Sequence, residues 1–246
     1  MPKPHWQRRV LQEVVAVARQ GWLIPQRPGR LRQHADAEHL VVFIHGFFAS
    51  SGVFRPMAFA LAHEGLAPRQ VHFDYAPIGS IEGNARRLAK VIEEARVPGP
   101  VTVIAHSLGG LIARHAIQHL GVRVDALVTL GTPHHGTPHA RPWPLRLAKE
   151  LSPGSLPLTS LAATRHRLEA TEVTSIVASS DVLVHADSSA LDGSRVVHID
   201  GVGHHGVLYD PRAWEAVREA IRSAVRRGAG AAVEAPPAPN VTDRAG

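Results

Sequence analysis

The sequence predicts an α/β domain built on a mostly parallel central sheet with helices on both faces. Short apolar runs rich in β-branched residues, of the kind buried on both faces of a parallel sheet, alternate with longer stretches of helical period. Gly and Pro punctuate the boundaries, as at Gly21 and Pro98-Gly99-Pro100. A length of 246 residues suits one such domain with a substantial core.

The elements follow in order. From Trp6 to Gln20 the residues Trp6, Val10, Leu11, Val14, Val15 and Val17 fall mostly on one helical face, and Gly21 ends the pattern. A helix packed on the domain's flank is expected, with a membrane-surface helix as the alternative. Pro25–Arg30 reads as a connector. Leu40–Ile44 is a strand, Val53–His63 a helix and Val71–Tyr75 a second strand. Ile81–Ala95 is a helix with Leu88, Val91 and Ile92 inside and Arg86, Arg87, Lys90, Glu93 and Glu94 outside. Val101–Ala105, Val124–Leu130, Val173–Ala178 and Arg195–Ile199 are further strands, with a helix at Gly109–Leu120. Pro211–Arg227 closes the domain as a helix, with Pro near its start where it is tolerated.

Two segments break the rhythm. Thr132–Glu169 carries Pro133, Pro138, Pro142, Pro144, Pro153 and Pro157 between two strands. An insertion of that length reads as a lid over about 133–169. Its apolar residues Trp143, Leu145, Leu147, Leu151, Leu156, Leu158 and Leu161 either face a hydrophobic substrate or interface, or cover the core. Gly228–Gly246 lacks an apolar face and is expected to be disordered.

The formal charge is +6, but the basic pairs Arg8-Arg9, Arg86-Arg87 and Arg226-Arg227 are scattered and no nucleic-acid motif accompanies them. Nucleic-acid binding is not expected; contact with an anionic lipid interface stays open. Without cysteine there is no disulfide, thiolate metal site or cysteine nucleophile. Met1–Arg19 does not read as a signal peptide, because Gln12 and Glu13 break its apolar run, and no run reaches the roughly 18 apolar residues of a membrane span. A cytoplasmic monomer is the expectation.

The chemistry concentrates at four places. Ala105-His106-Ser107-Leu108-Gly109-Gly110 ends a strand and opens a helix. That context suits a sharp turn presenting a nucleophilic hydroxyl at Ser107, with small neighbours two residues either side and a helix N-terminus that favours developing negative charge. Phe43-Ile44-His45-Gly46-Phe47-Phe48 lies just past an earlier strand. The backbone N–H groups of Phe47 and Leu108 are the candidate oxyanion donors. His45 is expected to brace its loop, and Phe48 with Phe47 to form apolar wall around a substrate. Asp181 follows the strand Val173–Ala178, where a carboxylate at a strand's carboxyl end faces the active-site edge. Asp187 is its rival, and Asp192 sits in an ordinary turn. The base comes from Gly201-Val202-Gly203-His204-His205-Gly206. Only one imidazole can reach the hydroxyl; His204 is favoured, with His205 as a packing or substrate-side residue. His135 and His139 have metal-ligand spacing, but Pro133, Gly136 and Pro138 forbid the helix that would align them, so no metal is expected.

His45-Gly46-Phe47-Phe48, the Ser107 turn, Thr129-Leu-Gly-Thr-Pro-His-His-Gly-Thr137 and Gly201-Val-Gly-His204 together resemble the bacterial triacylglycerol lipase and esterase family, over roughly Leu40 to Arg227. The resemblance implies an α/β-hydrolase fold with a lid insertion, and Ser107, Asp181 and His204 as a triad served by Phe47 and Leu108. It also implies His204 over His205, because the family's base follows a Gly-x-Gly-like turn. Several secreted members carry a signal peptide, a disulfide and a structural calcium site near the catalytic histidine. Here the first two are missing and no matching Asp pair is present, so no cofactor is expected. The implied activity is hydrolysis of a lipid or small-molecule ester. Acyl transfer or another activity on a non-glyceride substrate is the alternative within enzymes, and a catalytically dead membrane-binding module the alternative outside them.

Overall fold

A computed structural model of the chain describes residues 5–26, 37–142 and 144–234. Trp143, most of the predicted connector and the predicted tail from 235 onward lie outside the described residues, as do the side chains of Trp6, Val10 and Leu11. Six parallel strands form one open sheet in the order β2-β1-β3-β4-β5-β6. They are β1 (Leu40–Ile44), β2 (Arg69–Phe73), β3 (Val101–His106), β4 (Ala126–Leu130), β5 (Glu172–Ala178) and β6 (Arg195–Ile199). The helices are α1 (His5–Leu23), α2 (Arg55–His63), α3 (Ile81–Ala95), α4 (Leu108–Leu120), α5 (Arg146–Glu150), α6 (Leu156–Ala163), α7 (Ala186–Ser189) and α8 (Pro211–Glu234).

Strand alternation sorts the core into two layers. Leu40, Val42 and Ile44 of β1 point to the face covered by α3 and α4, whereas Val41 and Phe43 point to the face covered by α2 and α8. Each fully buried aliphatic side chain contributes roughly 1.5–3 kcal/mol. In α3, Ser80 caps the first turn through Gly83 N–H, and Ile81, Ala85, Leu88 and Ile92 repeat on the buried face. The chain leaves β1 toward one sheet edge and later crosses back to β3. The strand order therefore reverses between β1 and β3, and the carboxyl ends of those neighbours open a crevice.

Three predicted features are corrected, and one open choice is decided. β2 lies two residues earlier than predicted, because Asp74 turns away to accept hydrogen bonds from Ser51 N–H and Oγ–H, while the Tyr75 hydroxyl donates to the His45 carbonyl. α1 runs through Gly21 to Leu23 and faces inward with Glu13, Ala16, Gln20 and Leu23, leaving Val14, Val15, Val17 and Trp22 exposed. Glu13, whose carboxylate accepts from the loop after His204, takes the inward face in place of the valines. α8 continues seven residues beyond the predicted end at Arg227, since Ala229, Ala231 and Ala232 are strong helix formers. In the insertion, Leu147, Leu151, Leu158 and Leu161 join the core and Leu145 is partly buried, while Leu156 is exposed. Leu147, Leu158 and Leu161 therefore cover the core, whereas Leu151 both joins it and lines the cavity over Ser107.

A buried cation ties the insertion down. Arg114 of α4 donates to the Leu161 carbonyl of α6 at 2.9 Å, and Gln118 donates to the same oxygen at 2.7 Å. Burial pushes the Arg114 pKa down to about 10, which leaves it charged at neutral pH. No helix among the described residues is long and apolar enough to cross a membrane.

Two imidazoles, one on β2 and one just before β1, make stability depend on pH. His39 meets Thr102 Oγ1 at 3.0 Å, and His72 stacks on Phe43 with ring centres 4.9 Å apart. Burial pushes both pKa values down to about 4. In the unfolded chain they return to about 6.5, so between the two values the unfolded state binds more protons. Their contribution is complete above about 6.5 and is lost as pH falls toward about 4. The thermal midpoint should drop by about 5–10 °C between roughly pH 7 and pH 5, with a shallower slope in the double variant His39→Gln/His72→Gln. An identical slope in that variant would contradict the assignment.

Candidate active site

Ser107 sits at the end of β3 with φ 53° and ψ −124°, a conformation that non-glycine residues rarely adopt. Phe48, on the loop after β1, has φ 53° as well. Thus two strained residues flank the crevice between β1 and β3, where such strain is characteristic of functional sites. The turn survives because its surroundings hold it. Ser107 N–H donates to the Leu130 carbonyl at 2.9 Å, and α4 starts so close to β1 that a Cβ at Gly109 would stand 2.6 Å from the Ile44 oxygen. The predicted need for a small residue at 109 has that physical basis.

The structure brings Ser107, His204 and Asp181 together. His204 Nε2 lies 3.0 Å from Ser107 Oγ, and His204 Nδ1 lies 2.6 Å from Asp181 Oδ2. An ionised carboxylate only accepts, so Nδ1 carries the proton and donates, leaving the Nε2 lone pair to accept from the serine hydroxyl. The second oxygen, Asp181 Oδ1, accepts from the N–H groups of Leu183 and Val184, both at 2.8 Å. The Asp181 side chain is 1% exposed and that of His204 7%. Water is therefore largely kept from a pair whose orientation it would loosen. Gly131, after β4, has φ 56°, and a Cβ there would come within 3.2 Å of His204 Nδ1. No side chain fits at 131 without pressing on the ring.

The rivals lie elsewhere. Asp187 is exposed on α7, Asp192 is exposed in its turn, and the ring of His205 turns to Glu13, with Nδ1 2.8 Å from Oε1. His135 and His139 are both exposed, and the chain between them is a turn leading into one 3₁₀ turn. Among the described residues no three of His, Cys, Asp or Glu are placed to hold a metal ion.

The loop after β1 is built around His45. Its Nε2 accepts from Tyr75 N–H at 3.2 Å, so its Nδ1 donates to the Gly46 carbonyl at 2.8 Å; the ring also stacks on Tyr75 with centres 4.3 Å apart. Burial lowers its pKa against the opposing pull of the Gly46 carbonyl and Asp74, which favours this neutral form. His45 thus braces the strand end from which Phe47 follows. Leu108 is the first residue of α4, and first-turn N–H groups have no acceptor within their own helix. On the other side the loop before Phe47 packs against the nucleophile turn, since a Cβ at Gly46 would stand 3.0 Å from Ser107 Cβ.

A cavity of about 290 Å³ opens over Ser107. Phe47, Phe48, Pro133, Ala140, Leu151, Leu183 and Val184 make its lining chiefly apolar, while Gln20, His106, Thr137, His139 and His205 add polar groups. The insertion thus supplies one wall. Sequence reasoning did not assign Glu13, Gln20, His106, Asp74 or Gly131. Of these, His106 and Gly131 stood within recognised motifs, but neither was given a role.

A six-stranded parallel sheet flanked by helices, with a strained serine at a strand-to-helix turn, is the α/β-hydrolase fold. The chain belongs to the family described as a domain of unknown function (DUF7379), whose model matches residues 10–180. That match includes Ser107 and the loop after β1 and ends one residue before Asp181. Among solved structures, a mature lipase of Bacillus licheniformis superposes with a TM-score of 0.64 at 15% identity, covering 78% of this chain and 96% of that one. A thermophilic esterase of Thermogutta terrifontis gives 0.55 at 16% identity, with 76% and 90% covered. A monoacylglycerol lipase of Paleococcus ferrophilus gives 0.56 at 16% identity, with 76% and 94% covered. These similarities establish a shared fold.

Proposed function

We propose that the chain is a serine hydrolase of the lipase and esterase kind, cleaving carboxylic esters with an apolar acyl group. The observation that carries this reading is the unbroken hydrogen-bond path from Asp181 through His204 to Ser107 beneath an apolar cavity. As Ser107 Oγ attacks the acyl carbonyl, its proton passes to His204 Nε2, and Asp181 stabilises the imidazolium. The N–H groups of Phe47 and Leu108 receive the oxyanion, each donor being worth roughly 2.7–4 kcal/mol of transition-state stabilisation. His204 returns its proton to the departing alcohol. Water, activated by the same imidazole, then frees the acid.

The cavity lining supports an apolar acyl group, since Phe48 and Leu183 line it and are also 49% and 38% exposed. The names of the structural neighbours support ester chemistry in general. Turnover of para-nitrophenyl esters from acetate to palmitate tests the reading, with release of free acid and faster turnover on acyl chains longer than acetyl as the expected result. Absence of turnover across the whole series would overturn it.

A further inference from the structure

We propose that Glu13 of α1 is a positioning residue that holds the His204 imidazole against Ser107 by clamping the main chain immediately after it. This inference rests on the serine-hydrolase reading above.

The loop that carries His204 is short of intrinsic stiffness. Gly201 has φ 80°, and Gly203 and Gly206 flank the two histidines, so its backbone is freer than most. Yet Nε2 must be kept at 3.0 Å from Oγ. Two sets of contacts restrain the loop. In one, His106 Nε2, next to the nucleophile, donates to the His204 carbonyl at 2.9 Å. In the other, the next two N–H groups in the chain donate to one carboxylate: His205 N–H to Glu13 Oε1 at 2.9 Å and Gly206 N–H to Oε2 at 3.2 Å. The His205 ring adds a contact of 2.8 Å to Oε1. A Cβ at Gly203 would stand 2.4 Å from Glu13 Oε2, so the carboxylate lies directly against the loop.

A partly exposed Glu–His ion pair would ordinarily contribute little. Here two of the three donors are backbone groups beside His204, so the carboxylate fixes main chain as well as pairing with a side chain. Charge-assisted bonds of this kind are about twice as strong as neutral ones. Burial alone would raise the Glu13 pKa, but the bonds from His205 and Gly206 outweigh it and hold the carboxyl below its ordinary value. The same helix places Gln20 in the cavity lining. An element outside the sheet-and-crossover pattern thus reaches the site at two points.

The test compares Glu13→Ala and Glu13→Gln with wild type for kcat and KM on a para-nitrophenyl ester, rate of inactivation by an organophosphonate, and melting temperature. Glu13 itself does not line the cavity but its partner His205 does, so KM is read beside kcat to separate a lost substrate contact from lost positioning. For Glu13→Ala the expected result is a kcat and an inactivation rate lowered about tenfold, with KM within about twofold, since small misplacements of a reacting group are costly in rate. Glu13→Gln keeps an oxygen for one N–H but turns an NH₂ toward the other, and should recover part of the loss, to about threefold below wild type. If Glu13→Ala does not fold, Glu13→Gln decides alone. A kcat within about twofold of wild type in Glu13→Ala, or equal to wild type in Glu13→Gln where Ala cannot be measured, overturns the proposal while leaving the hydrolase reading intact. A wild-type protein inert to both ester and phosphonate overturns the hydrolase reading itself, and the positioning role with it.

Discussion

Replacing Ser107 by alanine should lower kcat for ester hydrolysis by about a millionfold, the loss expected when the nucleophile of a triad is removed. What remains would come from the oxyanion donors and substrate binding. The fold should persist. The substitution deletes one hydroxyl and one hydrogen bond, worth on the order of 1 kcal/mol, and alanine fits the small space at the turn. The positive φ at position 107 is set by the Leu130 carbonyl and by the close approach of α4 to β1, both of which are unchanged. The melting temperature should therefore move by only about 2–4 °C. Turnover comparable to wild type in the alanine variant would remove Ser107 from the mechanism.

Asp181→Asn should cost about ten-thousandfold in kcat through the proton rather than through shape. Oδ1 accepts from two backbone N–H groups, so an asparagine keeps its oxygen there and turns its NH₂ to His204 Nδ1. The imidazole must then accept at Nδ1 and carry its hydrogen on Nε2, the nitrogen that has to receive the serine proton. A near-normal structure with a ring unable to act as base is the expected result. Asp187→Asn, on the exposed surface of α7, should change kcat by less than about twofold, since surface substitutions away from the site are usually silent. The reverse ranking of the two variants would reassign the acid.

Much of this was legible in the residues because local physics dictated it. Leu40-Val-Val-Phe-Ile44 reads as a strand buried on both faces, and the structure places it inside the sheet, between β2 and β3. Ser107 could be singled out because its turn needs a strand before it, a helix after it and small neighbours, all of which are local. Asp181 and His204 could be selected by their positions after strands, and the coordinates then separate them from Asp187 and His205.

What escaped was set by distant partners. The rotation of α1 was misjudged because Val14, Val15 and Val17 look like a buried stripe, whereas the helix is turned inward by Glu13, which bonds a loop 192 residues away, and by Gln20. No local pattern encodes that contact. The leucines of the insertion could equally have met substrate or core; the decision lies with Arg114 and Gln118, which hold the Leu161 carbonyl from α4. Gly131 was unreadable for the same reason, since its lack of a side chain matters only because His204 and Asp181 lie against it.

The most direct measurement is to react the wild-type protein with an organophosphonate, digest it, and locate the adduct by mass spectrometry. One phosphonyl group per chain, on the peptide containing Ser107 and missing from the Ser107→Ala protein, is the predicted result. An adduct on another residue, or undiminished labelling of the alanine variant, would contradict it.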